Sequence, residues 1–227
     1  ADAELVTAEP LSVRRAVTLC AEELKKEFKA TDPGLTVEVT DSVAVMCMDA
    51  DFTKRVIRFL SSAPNGVQSM SADLPDLVQT SLNLGILRTE PEAVTASFCV
   101  RSSDAQEKAD LLERLRVLTE GGNRRKGASA QGQMRIEGDY PAWKYEPFSP
   151  IRSLCADVFR DLYRTEPKIE AVHAGLECGY FADKIPGLDC VSFGPDLLDI
   201  HTPRERMRIS SVQRVWRFLL EVLQRAK

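Results

Sequence analysis

The feature that most constrains the fold is a regular alternation of apolar and more polar residues in the first half of the chain. In residues 92–101, Val94, Phe98 and Val100 fall on one side, and smaller, more polar residues fall between them. A two-residue period is typical of a strand in an antiparallel sheet with one covered and one solvated face. Residues 77–88 precede this strand across a short connection, so the sequence predicts an antiparallel hairpin.

Helices are predicted around this hairpin because apolar residues recur there every three or four positions. Asp104 and Glu107 have the spacing of a capping box at the start of one of them. Helices packed on one face of an antiparallel sheet define an α+β layer, which is the fold class predicted for the first half. The predicted helices cover about residues 12–30, 51–62 and 104–119, and a further strand covers residues 35–40.

The second half alternates short strands with helices, which favours parallel pairing in an α/β arrangement. Two strands are too few for such a sheet, so they are expected to be the edge of a larger one. The predicted fold class is therefore α/β overall, with an α+β first half and an α/β second half that meet at a seam near residues 121–140. The predicted strands are 169–173 and 190–193, and the predicted helices are 149–162, 176–184 and 210–223.

Composition excludes several classes of function. A net charge of −4 gives no electrostatic reason to expect a nucleic-acid partner, and the basic cluster at 124–126 is too short to change this. No apolar run approaches the roughly 20 residues that span a bilayer, so no membrane partner is expected. The six cysteines are scattered and predicted to be reduced and mostly buried, as in a cytoplasmic protein. The chain does not begin with Met, which fits a segment cut from something longer.

The two histidines are the first candidates for a functional site. His173 ends one predicted strand and His201 lies in the loop after the other, and sites on α/β sheets lie at such strand ends. For an isolated histidine, however, a hydrogen-bonded structural or surface imidazole is the commoner explanation. Glu177 follows His173 closely, and it could either serve chemistry or lie at a helix N-terminus, where the dipole favours a carboxylate.

Seven motifs carry a resemblance to a known family, and they run in order from near residue 35 to the C-terminus. The chain resembles the bacterial aminoacyl-histidine dipeptidases of the carnosinase-like clan, which have paired zinc ions. The motifs are Ala-Pro-Asn-Gly-Val (63–67), Thr-Ser-Leu-Asn-Leu-Gly (80–85), Val-Arg-Ser (100–102), Gly-Asp-Tyr-Pro-Ala-Trp (138–143), His-Ala-Gly-Leu-Glu-Cys-Gly (173–179), Ser-Phe-Gly-Pro (192–195) and His-Thr-Pro-Arg-Glu (201–205).

The resemblance implies a role for four residues. His201 matches a zinc ligand, and Arg101 matches the arginine that grips the carboxylate of the substrate. Glu177 matches a carboxylate near the free amino group of the substrate, and His173 is placed with the substrate-binding residues without a named role. The resemblance further implies that residues 1–135 are part of a lid domain and that the remainder ends a catalytic domain.

The implied activity is hydrolysis of Xaa-His dipeptides by metal-activated water with two zinc ions. The other metal ligands and the general base of the family have no match in this chain. The chain alone is therefore expected to be inactive and to bind zinc weakly or not at all. Two alternatives stay open: a non-catalytic interaction or dimerisation module, with a homodimer among the expected assemblies, and a related amidohydrolase of the same clan.

Overall fold

The computed structural model describes residues 1–43, 46–121, 132–171 and 175–226. The chain divides into two compact units, Ala1–Ile57 and Arg58–Lys227. The predicted boundary near residue 135, between part of a lid domain and a segment of a catalytic domain, stays a prediction. His173, the second half of the 169–173 strand and the basic cluster at 124–126 lie outside the described residues.

The first unit is built on α1 (Pro10–Glu27), which has its proline in the first turn, where a missing N–H costs little. Ala21 is its buried residue, while the predicted stripe residue Cys20 is exposed. The strand predicted at 35–40 is wrong. A strand needs a hydrogen-bonded neighbour, whereas the Val39 carbonyl of this segment accepts instead from the Arg14 guanidinium at 2.9 Å.

Helix α2 (Ala50–Ser62) confirms the second predicted helix. The Asp49 carboxylate accepts from the backbone N–H groups of Asp51 and Phe52 at 3.0 and 2.9 Å. These bonds satisfy donors that a helix leaves unpaired at its N-terminus. The helix begins in the first unit and ends in the second.

An antiparallel sheet follows, with strands β1 (Gly66–Met70), β2 (Val78–Thr89) and β3 (Val94–Ser102) in that order. The predicted hairpin is confirmed as β2 and β3, with Leu82 opposite Val100. Along β3, half-buried and exposed residues alternate as predicted. The register shifts by one residue beside Gly85. The short strand β1 was not predicted from the sequence.

Helix α3 (Ala105–Glu120) covers one face of this sheet. Its Leu111 and Leu115 bury against Leu82 of β2, with Phe98 and Val100 of β3 around them. Asp104 caps the helix as predicted, accepting from the backbone N–H groups of residues 106 and 107.

The predicted capping box is wrong in its second half, because the Glu107 carboxylate does not turn back to residue 104. It accepts instead from Ser69 Oγ and Thr80 Oγ1, and from Gln79 Nε2 at 2.6 Å. These donors hold the pKa of Glu107 below its usual value, the Ser69 bond having the largest effect. The carboxylate thereby links α3 to β1 and β2.

The last part of the chain packs α4 (Pro150–Tyr163) against α6 (Ile209–Arg225). Val158, Phe218 and Val222 form the buried centre of this contact. The predicted stripe of α4 is confirmed, since its members pack around this centre; they are Ile151, Leu154, Cys155, Val158, Phe159 and Leu162. The stripe that the sequence predicts for α6 consists of Val212, Val215, Trp216, Leu219, Leu220 and Leu223. It is wrong in part: Val215 and Leu219 are half-buried, but the other four are exposed, and the buried residues are Ser211, Phe218 and Val222.

The strands predicted in this region are also wrong. Residues 169–171 and 190–193 form no strand, and the Phe193 ring packs edge-on against Phe218 with centroids 4.9 Å apart. The region holds α5 (Glu177–Lys184), as predicted, and a small hairpin of β4 (Leu197–Leu198) and β5 (Arg206–Met207). Helices with an antiparallel sheet confirm the mixed α/β class.

The cysteines differ from the prediction of mostly buried thiols. All six are free, three are exposed, and Cys155, Cys178 and Cys190 are half-buried. Within the part of the chain that the structure describes, no helix combines the length and apolarity that a bilayer crossing requires.

Candidate functional site

His201 lies in the seven-residue loop of the β4–β5 hairpin, in an unusual backbone conformation. Its φ is +65°, and that of Asp199, two residues earlier, is +54°. Residues other than glycine rarely occupy this left-handed region, and they cluster at functional sites where the surroundings hold them there. The side chain of His201 is exposed.

A set of hydrogen bonds holds this loop. The Glu205 carboxylate accepts from the backbone N–H of His201 at 2.9 Å. Thr202 donates through its hydroxyl and its N–H to the Asp199 carbonyl, at 2.7 and 3.2 Å. At the base of the loop, Arg206 donates to the Asp199 carboxylate at 2.8 Å. The backbone that presents the His201 imidazole to solvent is thus fixed from both sides.

Arg101 lies near the end of β3, on its exposed side, opposite Ser81 of β2. The sheet orients it, since alternate residues of β3 face α3 and solvent. A guanidinium on a strand of a paired sheet is suited to bidentate binding of a carboxylate, because its donors form a planar fork.

Glu177 begins α5, and its carboxylate is exposed in the first turn of the helix. Close packing beneath α5 fixes the position of this turn. A Cβ on Gly179 would lie 2.9 Å from the Pro141 carbonyl oxygen, and one on Gly175 would lie 2.1 Å from the Tyr140 ring. A side chain at 179 would press on backbone, and one at 175 would require the Tyr140 ring to move.

Residues 139–141, which pack against α5, are bonded to Lys108 of α3. The Lys108 ammonium donates to the Asp139 carboxylate and to the Tyr140 carbonyl, each at 2.7 Å. The Tyr140 ring lies beside that of Tyr180 on α5, with centroids 6.4 Å apart. Residues 139–143 are thus packed against the described part of the second motif, residues 175–179.

The predicted site residues lie on three separate elements: Arg101 on β3, Glu177 on α5 and His201 in the β4–β5 loop. Among the described residues, no group of three or more His, Cys, Asp or Glu side chains is placed to hold a metal ion. A zinc site needs about three protein ligands, so these residues do not by themselves fit the zinc that the resemblance implies.

Two features of the β4–β5 hairpin were not predicted from the sequence. They are the bond to the Glu205 carboxylate and the ion pair between Asp199 and Arg206. A local signal for both exists, because acids and bases are spaced across a Thr-Pro turn in residues 199–206. That spacing suits a hairpin closed by its own side chains. The assigned roles of Arg101, Glu177 and His201 stay predictions.

Comparison with known proteins shows that the chain is similar to part of a dipeptidase. The chain is 31% identical over 221 residues to the cytosol non-specific dipeptidase of Escherichia coli (strain K12), covering 96% of this chain and 44% of that protein. No family model matches the chain.

Two solved structures are similar. The aminoacylhistidine dipeptidase from Vibrio alginolyticus superposes with a TM-score of 0.81 at 29% identity, covering 95% of this chain and 43% of that one. The aminopeptidase PepT from Bacillus cereus superposes with a TM-score of 0.58 at 13% identity over 75% of this chain and 44% of that one, which shows a shared fold alone. The chain spans less than half the length of the relatives it matches.

In fold and sequence the chain is similar to parts of known peptidases. The resemblance to part of an aminoacyl-histidine dipeptidase, predicted from the seven motifs, is confirmed.

Proposed function

We propose that this chain forms part of a metal-dependent dipeptidase that hydrolyses Xaa-His dipeptides. The observation that carries the proposal is the superposition of 95% of the chain on an aminoacylhistidine dipeptidase. The name of the Escherichia coli relative supports dipeptide hydrolysis of broader specificity and a location in the cytosol. A related amidohydrolase of the same clan would share the fold and differ in substrate.

In this proposal the two ends of the substrate are bound by opposite charges. Arg101 binds the carboxylate of the dipeptide through its planar fork of donors, and Glu177 accepts from the free amino group. His173 belongs to the same substrate-binding set. Fixing both ends of a short peptide selects dipeptides over longer substrates, because a longer chain would leave one charged group unpaired.

His201 supplies one zinc ligand, and its backbone restraint by Glu205 supports this role. The remaining ligands and the general base would come from additional polypeptide, of the kind that the longer relatives possess. The isolated chain is then inactive and binds zinc weakly.

The direct test compares the chain alone with the chain co-expressed with the part of the Escherichia coli dipeptidase that it does not match. Each preparation is given zinc and β-alanyl-histidine, and release of histidine is measured. We expect turnover only with the added polypeptide. Turnover by the chain alone would contradict the proposed division of the site.

The role of Arg101 is tested in the co-expressed complex with a matched control on the neighbouring strand. Arg101→Ala removes a charge-assisted hydrogen bond to the substrate, so KM should rise by about 10- to 100-fold. Arg88→Ala removes an exposed arginine of β2 and should leave KM unchanged. Equal effects of the two variants would count against the assignment.

A second candidate function is a non-catalytic interaction module, and the position of β3 favours it. In the described sheet β3 is an edge strand of 9 residues, and an unpaired edge can pair with another chain. Sedimentation at several protein concentrations tests it. A dimer would support a homodimeric interface, and a monomer at all concentrations would contradict it.

A further inference from the structure

Two half-buried thiols lie beside each other in the second unit. Cys178 is in the first turn of α5, and Cys190 follows after the helix has ended and the chain has turned back. The turn is made by Gly187, with φ +78°, and by the bond from the Leu188 N–H to the Ile185 carbonyl at 3.1 Å. The chain reversal returns Cys190 to the start of the helix.

The contact between them involves both backbone and side chain. The Cys190 Sγ donates to the Cys178 carbonyl oxygen at 4.0 Å, and the Cys178 thiol is close enough to raise the pKa of Cys190. Neither thiol is enclosed, so a small oxidant in solution can reach the pair.

The two thiols differ in their surroundings. Burial raises the pKa of Cys190, and the neighbouring Cys178 and Asp189 raise it further. Cys190 is therefore harder to ionise than an ordinary thiol. We accordingly assign the first oxidation to Cys178 and the resolving step to Cys190.

We propose that Cys178 and Cys190 are an oxidation site that a hydroperoxide converts to an intrachain disulfide. With hydrogen peroxide, the Cys178 thiol releases its proton and the thiolate attacks one peroxide oxygen. The S–O bond forms as the O–O bond breaks, and the departing hydroxide takes up the released proton, so that a sulfenic acid and one water are left. The Cys190 sulfur then attacks the sulfenic sulfur, so that the S–S bond forms, the S–O bond breaks and a second water leaves. Two electrons pass from the two thiols to the peroxide, and a thiol reductant reverses the change.

The disulfide would connect two structural elements. Cys178 adjoins Glu177 at the start of α5, and Cys190 adjoins Asp189, whose carboxylate accepts from Ser149 Oγ at 2.6 Å and from the Ile151 N–H at 2.8 Å at the start of α4. Oxidation therefore ties the first turn of α5 to the N-terminus of α4 and restricts the segment between them. The site does not depend on the peptidase assignment.

The test uses the full 227-residue chain. The reduced protein is treated with a small excess of hydrogen peroxide, free thiols are then blocked with N-ethylmaleimide, and digested peptides are identified by mass spectrometry. We expect a cross-linked peptide that joins Cys178 to Cys190, and its loss after treatment with dithiothreitol. Thermal unfolding of the oxidised chain should shift upward by a few degrees.

Variants separate this pair from general thiol oxidation. In Cys190→Ser the sulfenic acid on Cys178 has no resolving partner, so it persists and is trapped by dimedone. Cys155→Ser, another half-buried cysteine, should leave the cross-link unchanged. Because mapping of the unsubstituted chain locates the bond directly, the test survives a variant that fails to fold. A cross-link between other cysteines, or no 178–190 cross-link, would overturn the proposal.

Discussion

Two regions of the molecule bury their apolar residues in different ways: the sheet with α3, and the helix pair α4 and α6. In the first region one apolar face of the sheet meets the single apolar face of α3, and Leu82 is buried between them. In the second region α6 carries apolar residues on two sides, of which only one contacts α4. Phe218 is 7% exposed, whereas Trp216, two residues earlier, is 60% exposed.

The difference teaches when an apolar pattern identifies a buried face. A helix with one apolar stripe has one face that can be covered, so the pattern is sufficient. In α6, residues 212, 216, 220 and 223 form as good a stripe as residues 211, 215, 218 and 222. Only the contacts made by α4 decide between them.

The largest effect is expected within α6. Phe218→Ala should lower the free energy of unfolding by about 3–5 kcal/mol, because it removes a buried ring and leaves a cavity. Trp216→Ala, in the same helix, should change it by less than about 1 kcal/mol, since its ring is mostly in solvent. Urea unfolding of both variants measures the contrast. Equal losses would mean that the two faces of α6 are not distinct.

A matched pair on β2 tests the sheet region in the same way. Leu82 is 2% exposed and Ile86, on the same strand, is 48% exposed. Leu82→Ala should cost about 2–4 kcal/mol, and Ile86→Ala a smaller amount. If Ile86→Ala proved the more damaging, the covered face of the sheet would be misassigned.

A substitution at Asp189 tests which contacts hold residues 188–193 in place, since this segment forms no strand. Its carboxylate accepts from Ser149 Oγ and from the Ile151 N–H at the start of α4, so Asp189→Ala should cost about 1–2 kcal/mol. Asp183→Ala, an exposed carboxylate of α5, is the control and should be nearly neutral. Chemical unfolding distinguishes them, and an equally small loss for Asp189→Ala would show that the segment is held by other contacts.

The smallest effect concerns Glu107 and depends on pH. Hydrogen bonds from Ser69 and Thr80 lower its pKa in the folded chain from the usual 4.5. A carboxylate with a lowered pKa stabilises the fold above its unfolded pKa, and the contribution is lost as pH falls through the folded value. Glu107→Gln should therefore cost about 1 kcal/mol at neutral pH.

The difference between Glu107→Gln and the unsubstituted chain should shrink as the pH is lowered below about 4.5, which thermal unfolding across pH 3–7 would follow. Glu113→Gln, on the exposed side of α3, serves as the control. A difference that grew on acidification would reverse the sign and contradict the argument.

The structural features that were predicted correctly are those that depend on local sequence patterns. The helices, the β2–β3 hairpin and the Asp104 cap depend on residues close together along the chain. The hydrogen-bond partners of the Glu107 carboxylate could not be predicted from local patterns. Ser69 and Thr80 are distant from it in sequence and contact it only once the sheet has formed. The strands β1, β4 and β5 are too short to show a clear alternation of apolar and polar residues. They are recognised as strands only by their hydrogen bonds to neighbouring strands.

The candidate site was predicted in a different manner. His201 and Glu177 were first considered because they lie near the ends of predicted strands, where each also has a structural explanation. Arg101 was selected by resemblance to a family, which also implied the roles of all three. The left-handed backbone at His201 and its bond to Glu205 depend on the folded loop, and no periodicity predicts them. The glycines at 175 and 179 are explained only by the segment packed against them.

The central claim is that His201 supplies part of a zinc site that this chain alone does not complete. Zinc retained after dialysis measures it most directly, in the chain alone, in the chain co-expressed with the unmatched part of the Escherichia coli dipeptidase, and in that complex with His201→Ala. The account predicts retained metal in the complex, none in the chain alone and a loss of metal in the variant. Stoichiometric zinc in the isolated chain, or undiminished zinc in the His201→Ala complex, would contradict it.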